Sequence, residues 1–192
     1  MPKPEKLLSD RLNKIINFDE PSLSELMNLF EVNHFDKGFH YAKTGEYATR
    51  MGFVVEGVLR AYHTTKEGEY YNKTFFTEGS FVGAYSSLVT GKKNLINIQC
   101  LTDVMLLEGS YADLVALYDD YPSVERFSRI LAEQYFVHKE RREIQLVTLD
   151  AAERYELFRK NHPEVEQQIP QYHIASYLGV TPTQLSRIRA KQ

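Results

Sequence analysis

Side chains able to read a nucleic acid are gathered in one short stretch, Thr181-Pro182-Thr183-Gln184-Leu185-Ser186-Arg187-Ile188-Arg189. Thr183 and Arg187 are four residues apart, so a helix would set them on one face. Threonine suits a thymine methyl or a phosphate, the Gln184 amide suits adenine, and the Arg187 fork suits the O6/N7 edge of guanine. Arg189 and Lys191 point more sideways and suit phosphate, and Ser186 also faces outward. Thr181 can cap the helix, Pro182 fits its first position and Gln184 completes a capping box. The free N–H groups at that end suit a further phosphate. The candidate DNA-binding set is therefore Thr181, Pro182, Thr183, Gln184, Ser186, Arg187, Arg189 and Lys191.

A reader needs a support. Tyr172 to Leu178 has helical character, with Ala175 small where two helices would cross, and Gly179 follows Leu178 where the helix must stop with φ > 0. Ile174, Leu178, Val180, Leu185 and Ile188 form the apolar inside. An ordinary helical hairpin is the plain alternative, because loose capping boxes are common. Cap, proline, glycine, small residue and basic outer face together favour a helix-turn-helix that places its second helix in the major groove.

The chain has 192 residues, 43% hydrophobic and 26% charged, which fits a globular protein of one large domain or two smaller ones. Its net charge of −3 disfavours uniform nucleic-acid binding. After Glu166, however, there is no further Asp or Glu, and Arg187, Arg189 and Lys191 give the tail a charge of +3. Phosphate contacts act over a Debye length or less, so the local charge decides. No apolar run reaches the roughly 18 residues of a membrane span, and the first residues lack the apolar core of a signal peptide. A cytoplasmic protein without a membrane partner is expected. The single cysteine, Cys100, lies in an alternating apolar run and reads as a core thiol.

Pro4 to about His34 carries helical spacing, broken at Asp19-Glu20-Pro21-Ser22, where Ser22 and Glu25 make a capping box. From Phe35 to about Leu107, short β-branched and aromatic runs alternate with glycines. Phe53-Val54-Val55, Val58 to Tyr62, Thr74-Phe75-Phe76 and Leu95 to Leu101 are the expected strands of an antiparallel barrel or sandwich. Helical signals return at Ser110, with Leu114, Leu117 and Tyr118 on one face. After Pro122 nothing interrupts a helix until about Thr148. Phe127, Ile130, Gln134, Val137, Arg141 and Ile144 follow a three-four spacing along it, a heptad-like seam that predicts a homodimer interface. A buried helix within a monomer is the alternative. Leu131 and Tyr135 form a second flank suited to packing on the strands, and Asp150 to Glu153 caps a further helix ending near His162.

This order resembles the Crp/Fnr family of bacterial transcription regulators over essentially the whole chain. The likeness rests on Phe53 to Arg60, on Gly79-Ser80-Phe81-Val82-Gly83 and on Ile174 to Pro182; Leu185 to Arg189 looks like the branch found in Bacteroidetes-type bacteria. The resemblance implies an α+β protein. An N-terminal antiparallel β-barrel (a double-stranded β-helix, cyclic-nucleotide-binding-like) with flanking helices occupies residues 1–121. A long dimerisation helix spans 122–148 and a winged helix-turn-helix domain 149–192. It further implies double-stranded DNA carrying an inverted repeat as a partner, along with RNA polymerase and an unidentified small-molecule effector.

Carried onto this chain, the family's ribose-binding Glu position is Ala84, after Gly83, and its Arg-Ser phosphate pair is Asn94-Leu95. Alanine accepts no hydrogen bond from a ribose, and Asn-Leu supplies neither charge nor fork for a buried phosphate. A slip of one residue brings Lys93 close. Gly83, Ala84, Tyr85, Lys93, Asn94 and Leu95 therefore form a degenerate effector pocket, and cyclic AMP is not the expected ligand. The family's iron–sulfur sensors use several N-terminal cysteines, absent here, and the six histidines are scattered, so no cofactor or metal is expected. Barrel enzymes of this shape need a His-x-His pair, which the chain lacks, so catalysis is not expected. The remaining alternative is a signalling or scaffold protein with the same fold whose DNA binding has been lost.

Overall fold

The computed structural model describes residues 3–65 and 68–191. Met1, Pro2 and Gln192, the extremes of the expected outer segments, lie outside the described residues. The chain opens with α1 (Pro4–Asn13) and α2 (Glu20–Asn28). Asp19, not Ser22, caps α2: its carboxylate accepts from the Ser22 amide at 2.9 Å and the Ser22 hydroxyl at 2.8 Å. A carboxylate is the stronger acceptor and the helix starts one turn earlier than the Ser22–Glu25 box predicts. The helical spacing also overran, because Glu31–Phe35 forms β1, paired antiparallel with β8 (Val104–Ser110). Long-range pairing there overrides local periodicity.

The remaining strands are β2 (His40–Ala42), β3 (Arg50–Glu56), β4 (Leu59–Thr64), β5 (Tyr70–Phe76), β6 (Phe81–Val82) and β7 (Asn97–Cys100). They build two four-stranded antiparallel sheets, ordered β1-β8-β3-β6 and β2-β7-β4-β5, the sandwich of the two arrangements expected rather than a barrel closed all round. Gly57 makes the turn between the sheets at φ +93°, where a Cβ would collide with the Asp103 carbonyl. Strand alternation then sorts the cores. Val54 and Leu106 face the space between the sheets with Leu59, Ala61 and Ile98. Phe53 and Leu107 face the opposite way, onto Leu8, Leu12, Leu26, Val124 and Phe127 of the helices.

Two helices follow, α4 (Tyr111–Ala116, capped by Ser110) and the 27-residue α5 (Pro122–Thr148), after the short α3 (Tyr85–Thr90) between β6 and β7. Asp19 joins α2 to the start of α5 by accepting from the Ser123 hydroxyl at 2.6 Å. These hydroxyl and amide donors hold its carboxyl down at about 2. The first half of α5 is anchored on the sheet, with Val124 and Phe127 buried, and the Tyr135 hydroxyl donates to the Phe81 carbonyl at 2.9 Å. From Glu133 to Arg141 every residue is exposed, Tyr135 reaching the sheet only with its hydroxyl. No helix among the described residues is long and apolar enough to cross a membrane.

The chain ends in α6 (Ala151–Asn161), α7 (Val165–Gln168), α8 (Gln171–Leu178) and α9 (Pro182–Arg189). The Asp150–Glu153 capping box forms as expected. Among the described residues no strand follows β8, so they contain no strand pair of the expected wing.

Candidate functional site

The α8–α9 pair is built as its residues predict. Gly179 ends α8 at φ +70°, and its successor Val180 donates back to the Ala175 carbonyl at 3.0 Å. Ile174, Ala175, Leu178 and Leu185 are buried, with Val180 and Ile188 partly so. Thr181 caps α9 by accepting from the Gln184 amide at 3.2 Å, while Gln184 Oε1 accepts from the Thr181 amide at 2.8 Å. Thr181, Pro182, Thr183, Gln184, Ser186, Arg187, Arg189 and Lys191 are all exposed.

Two members of that set are less free than their spacing implies. Gln184 spends its carbonyl oxygen on the capping box, leaving only its N–H groups to offer a base. Arg189 Nε lies 3.1 Å from the Glu166 carboxylate, which also accepts from the Tyr155 hydroxyl at 2.5 Å and lies 3.7 Å from Arg159. Sequence distance hid this pair, since Glu166 reaches α9 only through the turn after α6. Thr183, Ser186, Arg187 and Lys191 remain as an outward face; Pro182 has no N–H and the Gln184 amide is taken by Thr181, so of the first turn's amides Thr183 supplies the one that faces out beside them.

The effector residues divide. Ala84 and Asn94 line a cavity of about 250 Å³ together with Phe35, Phe39, Tyr41 and Arg50, among others. Asn94 is fully employed there: its Nδ2 donates to the Ile96 carbonyl at 2.5 Å, and its backbone exchanges bonds of 2.8 Å with Gly45 and Glu46. It serves as a staple between two loops and has no charge to offer. Leu95 and Tyr85 turn outward, 74% and 55% exposed, and Lys93 is exposed with its ammonium 6.0 Å from the Tyr47 ring centre. Gly83 packs under Leu88. The cavity also holds a polar group that the sequence did not flag. Glu108, 7% exposed, pairs with Arg50 at 2.9 Å and accepts from Asn33 at 3.0 Å. Burial and the neighbouring Glu108 charge push the Tyr41 phenol well above its ordinary range. Strand period places Glu108 on the Leu106 side of β8, between the sheets, where an acid is unexpected, and only the neighbouring strands β1 and β3, which bring Asn33 and Arg50 to it, reveal its role.

Along α5 the heptad-like residues do not share one environment. Phe127 is 3% exposed, locked against Phe18 and Phe81 in the core, and so stands outside any exposed seam. Ile130 is half-buried, whereas Gln134, Val137, Arg141 and Ile144 are exposed. Phe136 and Val147, 67% and 84% exposed, widen the apolar face beyond the predicted seam. They were missed because a strict three-four count skips them.

Residues 32–121 match the protein family described as Cyclic nucleotide-binding domain. No curated protein sequence matches the chain. Among solved structures, the chain resembles FixK2 from Bradyrhizobium japonicum at a TM-score of 0.76 and 18% identity, covering 84% of this chain and 83% of that one. It also resembles the c-di-GMP-responsive global regulator CLP of Xanthomonas campestris (TM-score 0.70, 16% identity, 90% and 91% covered). A third likeness is to a transcriptional regulator of the Crp/Fnr family from Eubacterium rectale (TM-score 0.71, 16% identity, 91% and 83% covered). At these identities the likeness is one of fold, and it extends beyond the matched domain into the helices that follow.

Proposed function

We propose that this protein is a dimeric, sequence-specific DNA-binding transcription regulator of the Crp/Fnr type, acting in the cytoplasm on an inverted-repeat operator. The observation that carries the proposal is the α8–α9 pair: a tight glycine turn, a capped second helix, and an exposed face of Thr183, Ser186 and Arg187 with no acidic residue among them. Such a face can enter a major groove, with Arg187 on a guanine and the helix N-terminus on a phosphate. A second copy of the chain would cover the exposed apolar face of α5, since Phe136, Val137, Ile144 and Val147 have no partner in one protomer that removes them from water. Two reading helices about 34 Å apart then meet successive major grooves.

The sensor half is proposed to respond to something other than cyclic AMP, because Ala84 and Asn94 carry neither the ribose acceptor nor the phosphate charge. No catalytic role is assigned, and RNA polymerase is the downstream partner of such a regulator. A gel-shift panel with the protein's own promoter tests the proposal. A retarded band that survives non-specific competitor supports it. Absence of any sequence-dependent shift, with and without candidate metabolites, would leave a signalling or scaffold role in its place.

A further inference from the structure

The outer face of the β2-β7-β4-β5 sheet is covered by the terminal helices, and the joint is polar at its centre. Val58, Phe75 and Leu101 of the sheet share one apolar cluster with Tyr155, Phe158 and Tyr177 of α6 and α8. Beside it lies Arg60, 6% exposed, with no carboxylate paired to it among the described residues. Its Nε and Nη2 donate to Gln99 Oε1 of β7 at 3.1 and 2.8 Å, and its guanidinium lies 3.8 Å from the Tyr62 ring centre. The sheet thus holds the guanidinium still. The remaining nitrogen, Nη1, points at α8, reaching His173 Nδ1 at 3.0 Å and Asn72 Oδ1 at 3.2 Å. Asn72, wholly buried on β5, donates from Nδ2 to the His173 carbonyl at 2.9 Å and from its amide to Ser176 Oγ at 3.0 Å. Ser176 Oγ in turn donates to the Tyr70 carbonyl at 2.6 Å.

Apolar contact alone would let α8 slide or rotate on the sheet at little cost. Directional bonds to a buried cation do not, because any rotation leaves a desolvated charge unpaired. Burying an arginine without an acid is costly, and an apolar pair would dock the helices more cheaply. We propose that Arg60 is a positioning residue for DNA reading: it fixes the angle of the α8–α9 pair on the sheet, and so the half-site separation the dimer accepts. The proposal rests on the DNA-binding function proposed above.

The test is selection of bound sites from a pool of inverted repeats whose half-site separation varies one base pair at a time. The full-length protein should enrich one separation. Arg60→Met should keep the half-site bases but lower the preference for that separation over its neighbours by roughly tenfold. Ser176→Ala, which removes only the Asn72 and Tyr70 contacts, should shift the preference the same way more weakly, and it answers the question if Arg60→Met loses its circular-dichroism signature of folding. Wild-type separation preference in the folded Arg60→Met protein, or in Ser176→Ala where the first does not fold, overturns the proposal. Failure of the wild type to enrich any site strikes the DNA-binding function itself, and the positioning role with it.

Discussion

Arg60 on β4 and His173 on α8 meet at 3.0 Å, and because a guanidinium only donates, His173 Nδ1 must accept. The imidazole is therefore neutral and carries its proton on Nε2. Burial first, and then the Arg60 charge, push its pKa down to about 4. His162, between α6 and α7, is pushed to about 4 as well, by burial and then by His138 and Arg142.

Both histidines bind protons more readily in the unfolded chain, so folding stability is fully present above pH ~6.5 and is lost as pH falls towards 4. The buried His173 contributes on the order of 3 kcal/mol to that loss. A thermal melt followed from pH 7.5 to 4.5 should show the midpoint falling below about pH 6. His173→Gln keeps an acceptor for Arg60 and removes the titration, so its midpoint should fall less steeply. An unchanged slope would show that His173 is not the coupled group.

If the proposed dimer forms through α5, substitutions along that helix should separate assembly from folding. Val137 and Ile144 are 42% and 53% exposed, so Val137→Asp with Ile144→Asp should leave the protomer folded and convert the dimer to monomer in sedimentation. Phe127 behaves oppositely. Its ring is in the core, and Phe127→Ala should cost ~3–5 kcal/mol of stability in a denaturant titration without acting on the interface directly. A charged pair on α5 that leaves the protein dimeric would place the interface elsewhere.

Arg187 and Arg189 lie two residues apart and should fail differently. Arg187 is exposed on the outward face of α9, and on the proposed function Arg187→Ala should weaken DNA binding by ~1–3 kcal/mol and relax preference at one base pair per half-site. Arg189 is engaged by Glu166 at 3.1 Å. Arg189→Ala should lower stability by roughly 0.2–1 kcal/mol, the value of a partly exposed pair, and reduce the salt slope of binding by less than one unit per half-site. Lys191→Ala should change the slope more. The comparison is made by measuring affinity at several salt concentrations; a larger slope change for Arg189 would mean that DNA draws it off Glu166.

What was legible in the sequence was what local chemistry decides. The Gly179 stop, the Thr181–Gln184 and Asp150–Glu153 boxes and the length of α5 each depend on residues a turn apart. What was not legible depends on partners far along the chain. His34 looked helical and became strand through β8, Phe127 looked like seam and became core, and His173 looked scattered and became the partner of Arg60. Glu166 lies just before the acid-free tail, so the charge count missed that it neutralises Arg189.

The sensor cavity gives the last prediction. In a chain whose residues 32–121 match the Cyclic nucleotide-binding domain, a cyclic nucleotide is the ligand to try first. Its ribose would meet Ala84, 2% exposed and without an acceptor in its side chain. Its phosphate would meet Asn94, whose amide is held by the Ile96 carbonyl at 2.5 Å, and Leu95, which points to solvent. A phosphate moved out of water needs charge-assisted donors to recover its hydration, and an engaged neutral amide provides none. Calorimetric titration with cyclic AMP or cyclic GMP should therefore show no saturable heat below about millimolar concentration, a ceiling of roughly −4 kcal/mol in binding free energy. A micromolar isotherm would contradict this. If Lys93→Ala then abolished it, the ammonium near Tyr47 would be identified as the substitute phosphate partner.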